Sequence, residues 1–155
     1  MNIKDFRLKK ILQVGGKSKY VHLMSNNQGE LIIKKRYDRN NPDQRRRYKT
    51  EVQILKHLQN CDFVPKIIHL NYAKRTIYMT YVGNQLTNTT TDKKALAEKM
   101  KELHLEWNVL RHRKGKPNYT VYYGNGTRLN NKVYIIDFGS NHYKIIGKSS
   151  KSLKI

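Results

Sequence analysis

The chain has 155 residues, with 32 Lys and Arg against 11 Asp and Glu and a formal net charge of +21. That length suits one domain with a real core, and the charge exceeds what solubility requires. It points to a polyanionic partner such as nucleic acid, a phosphoprotein or an acidic membrane surface, although scattered lysines on a solvated face and AT-rich coding of Lys, Asn, Tyr and Ile account for the same surplus. Cys61 is the sole cysteine, which excludes an internal disulfide and a clustered zinc pattern and fits an intracellular location, cytoplasmic or nuclear. No apolar run approaches the roughly 20 residues that span a bilayer. Met1 to Phe6 lacks the apolar stretch of a cleaved signal, so a soluble protein without membrane insertion is expected.

In chain order, Lys10 to Val14, Tyr20 to Met24 and Leu31 to Tyr37 read as three strands. Gly15-Gly16-Lys17-Ser18 and Asn26-Asn27-Gln28-Gly29 separate them, and turns this short imply an antiparallel meander. Residues 43 to 59 read as a helix with Asn41 as its cap, Pro42 near the first turn, and Tyr48, Leu55 and Leu58 along one stripe. Glu51 falls on that stripe. A lone carboxylate there loses its hydration at a cost of several kcal/mol unless a cation meets it, or it bends out to solvent at the helix edge.

Phe63 to Leu70 and Arg75 to Val82 read as two more strands around an Asn71-Tyr72-Ala73-Lys74 turn, completing a five-stranded sheet with one inserted helix. A second helix is expected from Thr91-Asp92 to about Leu110, with Leu96, Met100, Leu103, Trp107 and Leu110 on its core face. A basic loop over 111–118 follows, then a hairpin from Tyr119 to Phe138 that turns through 124–131. The last segment, from Ser140, is rich in lysine and serine without an acid, and is expected to be poorly ordered.

The hairpin ends in Val133-Tyr134-Ile135-Ile136-Asp137-Phe138-Gly139. A buried strand gains nothing from ending in Asp, so Asp137 is either a turn residue or a ligand for something cationic. Gly124-Asn125 lies twelve residues before it. The segment and the order of elements resemble the protein-kinase-like superfamily over roughly residues 8 to 141. The resemblance implies an α+β kinase-like fold: a five-stranded antiparallel N-lobe with an inserted helix over 1–83, a strongly reduced C-lobe over 84–141, and a basic tail over 142–155.

Leu31-Ile32-Ile33-Lys34 is similar to the third-strand Val-Ala-Ile-Lys motif, which would make Lys34 the lysine on the α- and β-phosphates of ATP, oriented by Glu51. Lys35 competes for that role, because adjacent strand residues face opposite ways. Gly15, Gly16, Lys17 and Ser18 stand where a glycine loop would cover phosphates, though they depart from Gly-x-Gly-x-x-Gly. Ile77 to Gly83 resembles the fifth strand and hinge, so Met79 and Tyr81 would line the adenine site. Asn125 and Asp137 would hold Mg²⁺.

The departure lies in the catalytic loop. Aligned on Asn125, Thr120 occupies the place of the catalytic Asp, and a hydroxyl is a poor base near neutral pH. A second register on His112-Arg113-Lys114 puts lysine there. Asp137 is the only carboxylate after Glu106, and the sixteen residues after Gly139 are too few for the usual peptide-docking segment. The expectation is an ATP- and magnesium-binding minimal kinase with impaired or atypical transfer, or a pseudokinase. The alternatives are a basic nucleic-acid-binding protein on a degenerate kinase scaffold and a regulatory decoy. A polyanion would meet Arg45, Arg46, Arg47, Arg111, Arg113, Lys114 and Lys116, with Lys144, Lys148, Lys151 and Lys154 behind them. Tyr119, Tyr122, Tyr123 and Tyr143 interleave with these cations as stacking surfaces or as cross-strand packing.

Overall fold

The computed structural model describes residues 1–148. It is a mixed α+β protein built on a five-stranded antiparallel sheet of β1 (Arg7–Val14), β2 (Tyr20–Ser25), β3 (Leu31–Arg36), β4 (Ile67–Asn71) and β5 (Thr76–Thr80), in the order β1-β2-β3-β5-β4. Between β3 and β4 runs α1 (Pro42–His57). Asn41 caps it by accepting from the amides of Asp43 and Gln44, and proline stands in its first turn. Both features satisfy or remove donors that the helix cannot use itself.

Beyond the sheet come β6 (Asn84–Gln85), α2 (Thr90–Trp107), β7 (Val109–Arg113), β8 (Lys116–Pro117), β9 (Gly126–Leu129), β10 (Lys132–Ile135) and β11 (Tyr143–Ile145). These short strands form two three-stranded sheets, β10-β9-β6 and β11-β7-β8. Asn130 and Asn131 join β9 to β10 with φ of 51° and 64°. Two successive positive φ values are the geometry of the two-residue hairpin turn for which asparagine is selected.

Three expectations need correcting. The second helix stops at Trp107, short of Leu110, because Asn108 takes a left-handed conformation with φ 55° and the chain leaves as β7. The basic segment 111–118 is not a loop but the β7–β8 hairpin, turning at Lys114 and Gly115. The segment after Ser140 contributes β11, which pairs Tyr143 with Arg111 and Ile145 with Val109. Lys151 and Lys154 lie outside the described residues. Among the described residues, no helix is long and apolar enough to cross a membrane.

One core joins both halves. It runs through Tyr37, through Tyr48 and Leu55 of α1's packing face with Leu58 just past its end, Ile77 and Met79 of β5, Leu96, Met100 and Leu103 of α2, and on to Ile135, Phe138 and Tyr143. A fully buried Leu, Ile or Phe contributes about 2 kcal/mol. The shared core therefore fixes α1 against the end of β10, where a cleft opens.

Candidate ligand-binding cleft

Glu51 is 1 % exposed, and its carboxylate is fully engaged. Oε1 accepts from the Tyr37 hydroxyl at 2.6 Å and faces Lys35 Nζ at 2.9 Å, while Oε2 accepts from the Phe138 backbone amide at 3.0 Å. Three donors, one of them charged, replace the water that burial removes. Lys35 also meets the Asp137 carboxylate. The ammonium thus links α1 to the chain just past β10.

Burial acts to lower the pKa of Lys35, but the charges of Asp137 and Glu51 outweigh it and hold the group well above the usual lysine value. Lys35 in turn holds Asp137 below the ordinary carboxylate range against the opposing effect of burial. Burial and the neighbouring Glu51 charge push the Tyr37 phenol well up. All three groups therefore keep their ordinary charge across the neutral range.

The turn that presents Asp137 is built for it. Asp137 has φ 72°, a left-handed conformation that Asp and Asn tolerate better than other side-chain-bearing residues. One turn of α1 above Glu51, Arg47 Nη1 donates to the Gly139 carbonyl at 3.2 Å, while Arg47 Nε binds Asp43 at 2.8 Å. A Cβ on Gly139 would sit 2.4 Å from the Tyr37 hydroxyl oxygen. Only glycine lets the chain pass that close.

These groups open on a cleft of about 540 Å³ whose lining includes Gly16, Lys17, Ser18, Lys35, Arg47, Arg111, Asn125 and Asp137. The site residues that the sequence brought forward divide sharply around it. Gly16, Lys17 and Ser18 line it, whereas Gly15 closes the turn by donating to the Lys19 carbonyl. Asn125 and Asp137 line it together. Met79 lies in the core, paired between Ile33 and Ile67, and the Tyr81 hydroxyl bonds Asn84 at 2.9 Å; neither is among the lining residues. Thr120 is exposed and also outside the lining; its backbone carbonyl accepts from Arg111 at 3.2 Å.

The expected Lys34–Glu51 pair does not form, and Lys35 takes its place. Lys34 pairs with His22 and Tyr78 across the sheet and points to the opposite face, its Nζ 5.6 Å from the Tyr20 ring centroid and 5.8 Å from that of Tyr78. Strand alternation forces this: α1 covers the face of Lys35 and Ile77, so Glu51 can meet only Lys35. The basic set also splits. Arg47 and Arg111 face the cleft, while Arg45 and Arg46 are exposed on α1 and Arg113, Lys114 and Lys116 are exposed on the β7–β8 hairpin.

Gln13, Tyr37, Gln85 and His142 also line it without having stood out in the sequence. Tyr37 carried a signal, since it lies two residues after Lys35 and so on the same face. His142 carried none. Burial, then the charges of Arg111, His112, Lys17 and Arg47, lower its pKa from 6.5, leaving an uncharged proton acceptor at neutral pH. No protein-family model matches the chain and no curated protein matches its sequence, so the chemistry of the cleft carries the functional assignment.

Proposed function

We propose that the protein binds the magnesium complex of a nucleoside triphosphate such as ATP on a protein-kinase-like scaffold with a reduced second half, and that its phosphotransfer is slow or absent. The observation that carries this reading is Lys35 held between Glu51 of α1 and Asp137, at the wall of a cleft that also presents the Gly16–Ser18 turn and Asn125. The desolvation of a buried ammonium can exceed what its carboxylate partners return, so stability alone is a weak reason for such a cluster. It is well suited to hold a phosphate chain when Asp137 turns to a metal ion.

The donors fit magnesium. Asp137 and Asn125 offer hard oxygens, the ligand type that this ion prefers, and an ion held by one or two protein groups takes its remaining oxygens from phosphates and water. Bound there, magnesium would neutralise phosphate charge. Lys35 supplies a fixed positive charge, Glu51 fixes its direction, and the backbone of the Gly16–Ser18 turn closes one side. For proton removal the lining offers only Asp137, already committed to Lys35, and His142. With no second carboxylate in the lining, efficient turnover is not expected.

Thermal unfolding with ATP and Mg²⁺ tests this directly. A shift that needs both components and disappears in Asp137→Asn is the expected result. An unshifted wild-type curve would sink the proposal.

A second reading, single-stranded nucleic-acid binding, is favoured by the outer face of the sheet. Lys34 rests over Tyr20 and Tyr78, the Tyr20 and His22 rings stack at 4.0 Å, and His69 lies 5.8 Å from Tyr78. A row of aromatic and imidazole rings across four adjacent strands, with the Lys34 ammonium among them, matches base stacking with phosphate contact. Salt-sensitive retardation of an oligonucleotide, weakened in Tyr78→Ala, is the expected signature; unchanged retardation in that variant would assign the binding to scattered charge.

A further inference from the structure

The lining of the cleft is one-sided in its chemistry. Glycines aside, every side chain in it is charged, an amide, an imidazole or hydroxyl-bearing, the last group including the rings of Tyr37, Tyr122 and Tyr143, and among the described residues no aliphatic side chain takes part. Among the described residues, Lys17, Lys35, Arg47 and Arg111 stand against Asp137 as the sole acid of the lining. Glu51 and Asp43 offset Lys35 and Arg47 from behind, so the surplus positive charge lies with Lys17 and Arg111.

Tyr143 adds an independent observation. It lines the cleft at 6 % exposure beside Arg111, its cross-strand partner, and although that guanidinium stands close to the phenol oxygen, the buried hydroxyl proton has no acceptor among the described residues. Burial raises its pKa and the charge of Arg111 opposes that rise, so the phenol stays a donor. A buried unpaired hydroxyl costs about 1–3 kcal/mol, which a ligand oxygen would remove.

The apolar residues at the end of β5 offer a flat base no corresponding slot. Met79, Val82 and Leu86 are each 8 % exposed or less. The Val82 carbonyl accepts the Thr127 hydroxyl at 2.6 Å. Gly83, at φ 101°, lies so near β9 that a Cβ there would be 2.0 Å from the Arg128 carbonyl oxygen. This stretch is closed by packing on β9.

We infer that the cleft reads the polyphosphate chain of its ligand and not the base, so that its substrate class is magnesium-bound tri- or polyphosphate, with or without a nucleoside. The inference rests on the nucleotide-binding reading above and narrows it. Arg111 and Tyr143 are the groups assigned to the end of the chain distal to Lys35, and Lys17 is assigned to its flank.

Calorimetry on the full chain, with Mg²⁺ and ATP, GTP, inorganic tripolyphosphate or adenosine, separates the two claims. The expected result is one site per chain, dissociation constants for the first three within about threefold of one another, and no binding of adenosine. Arg111→Gln and Tyr143→Phe should each weaken tripolyphosphate by about tenfold, the scale of one charge-assisted or buried hydrogen bond. Arg113→Gln, which removes the same charge outside the cleft, should leave it unchanged. ATP binding at least tenfold tighter than tripolyphosphate, or competition by adenosine, overturns the inference and leaves the nucleotide reading intact. Equal weakening by Arg113→Gln and Arg111→Gln, or several equivalents bound per chain, also overturns it by revealing diffuse charge. If neither ATP nor tripolyphosphate binds, both readings fail together.

Discussion

On one face of β3 the Lys35 ammonium is enclosed by Glu51 and Asp137 beneath α1; on the other, one residue earlier, the Lys34 ammonium rests over two tyrosine rings. The residues are chemically identical and adjacent, and their energetics differ because burial differs. Lys35 is 7 % exposed, so its charge acts at low dielectric and is tolerable only when paired, above all with the buried Glu51. Lys34 keeps contact with water, and its cation–π contacts are weak additions. The inner face therefore holds a fixed and costly charge constellation, while the outer face holds an adaptable surface.

The largest effect that would break this comparison is loss of Glu51. Glu51→Ala strands the Tyr37 hydroxyl, the Phe138 amide and half of the charge partnership of Lys35, and should cost about 3–5 kcal/mol, lowering Tm by roughly 10 °C. A loss within 1 °C in differential scanning calorimetry would mean that the constellation does not hold the fold. Lys35→Met should cost somewhat less, about 3 kcal/mol, and remove ligand-induced stabilisation. Lys34→Met should stay within about 1 kcal/mol of wild type and keep that stabilisation; a reversed order in the same assay would invert the assignment of the two lysines.

The pH dependence sharpens the inner face. With its pKa raised, Lys35 contributes stability fully below the unfolded lysine value of about 10.4 and loses it as pH rises through the higher folded value. Tyr37, also raised, loses its contribution in the same direction. Asp137, lowered by Lys35, contributes above the unfolded value of about 3.9 and loses it as pH falls through the folded one. Lys35→Met should therefore flatten the alkaline arm of Tm against pH, and an arm parallel to that of the wild type would argue against the coupling. A similarly small structural effect is expected for Asp137→Asn. Asparagine also accepts the left-handed backbone, so unfolding should change by about 1 kcal/mol while magnesium-dependent stabilisation is lost.

Much of the first half was legible because its signals are local. Three strands with glycine- and asparagine-rich turns, a helix opened by Asn41-Pro42, and a carboxylate on an apolar stripe are all visible within a few residues of one another. Glu51 announced a buried partner correctly. The identity of that partner was not legible: Lys34 and Lys35 differ only in which face they occupy, and a one-residue slip exchanges the two. The second half was harder for a related reason. Its strands are two to five residues long, too short for periodicity, and β11 exists only because Val109 to Arg111 lie beside it.

The sheet-and-helix architecture of the first eighty residues, the caps and turns that bound its helix and hairpins, and the need for a cation beside Glu51 all follow from the order of residues. Periodicity, capping and turn chemistry act between near neighbours, so they are written in the order of residues. Tertiary structure decided that Lys35 is that cation, that Arg47, Arg111, His142 and Tyr143 share the cleft with Asp137, and that the residues after β5 close onto β9. These facts depend on which sheet face α1 covers and on where distant chain segments meet, and both are settled by burial in the shared core.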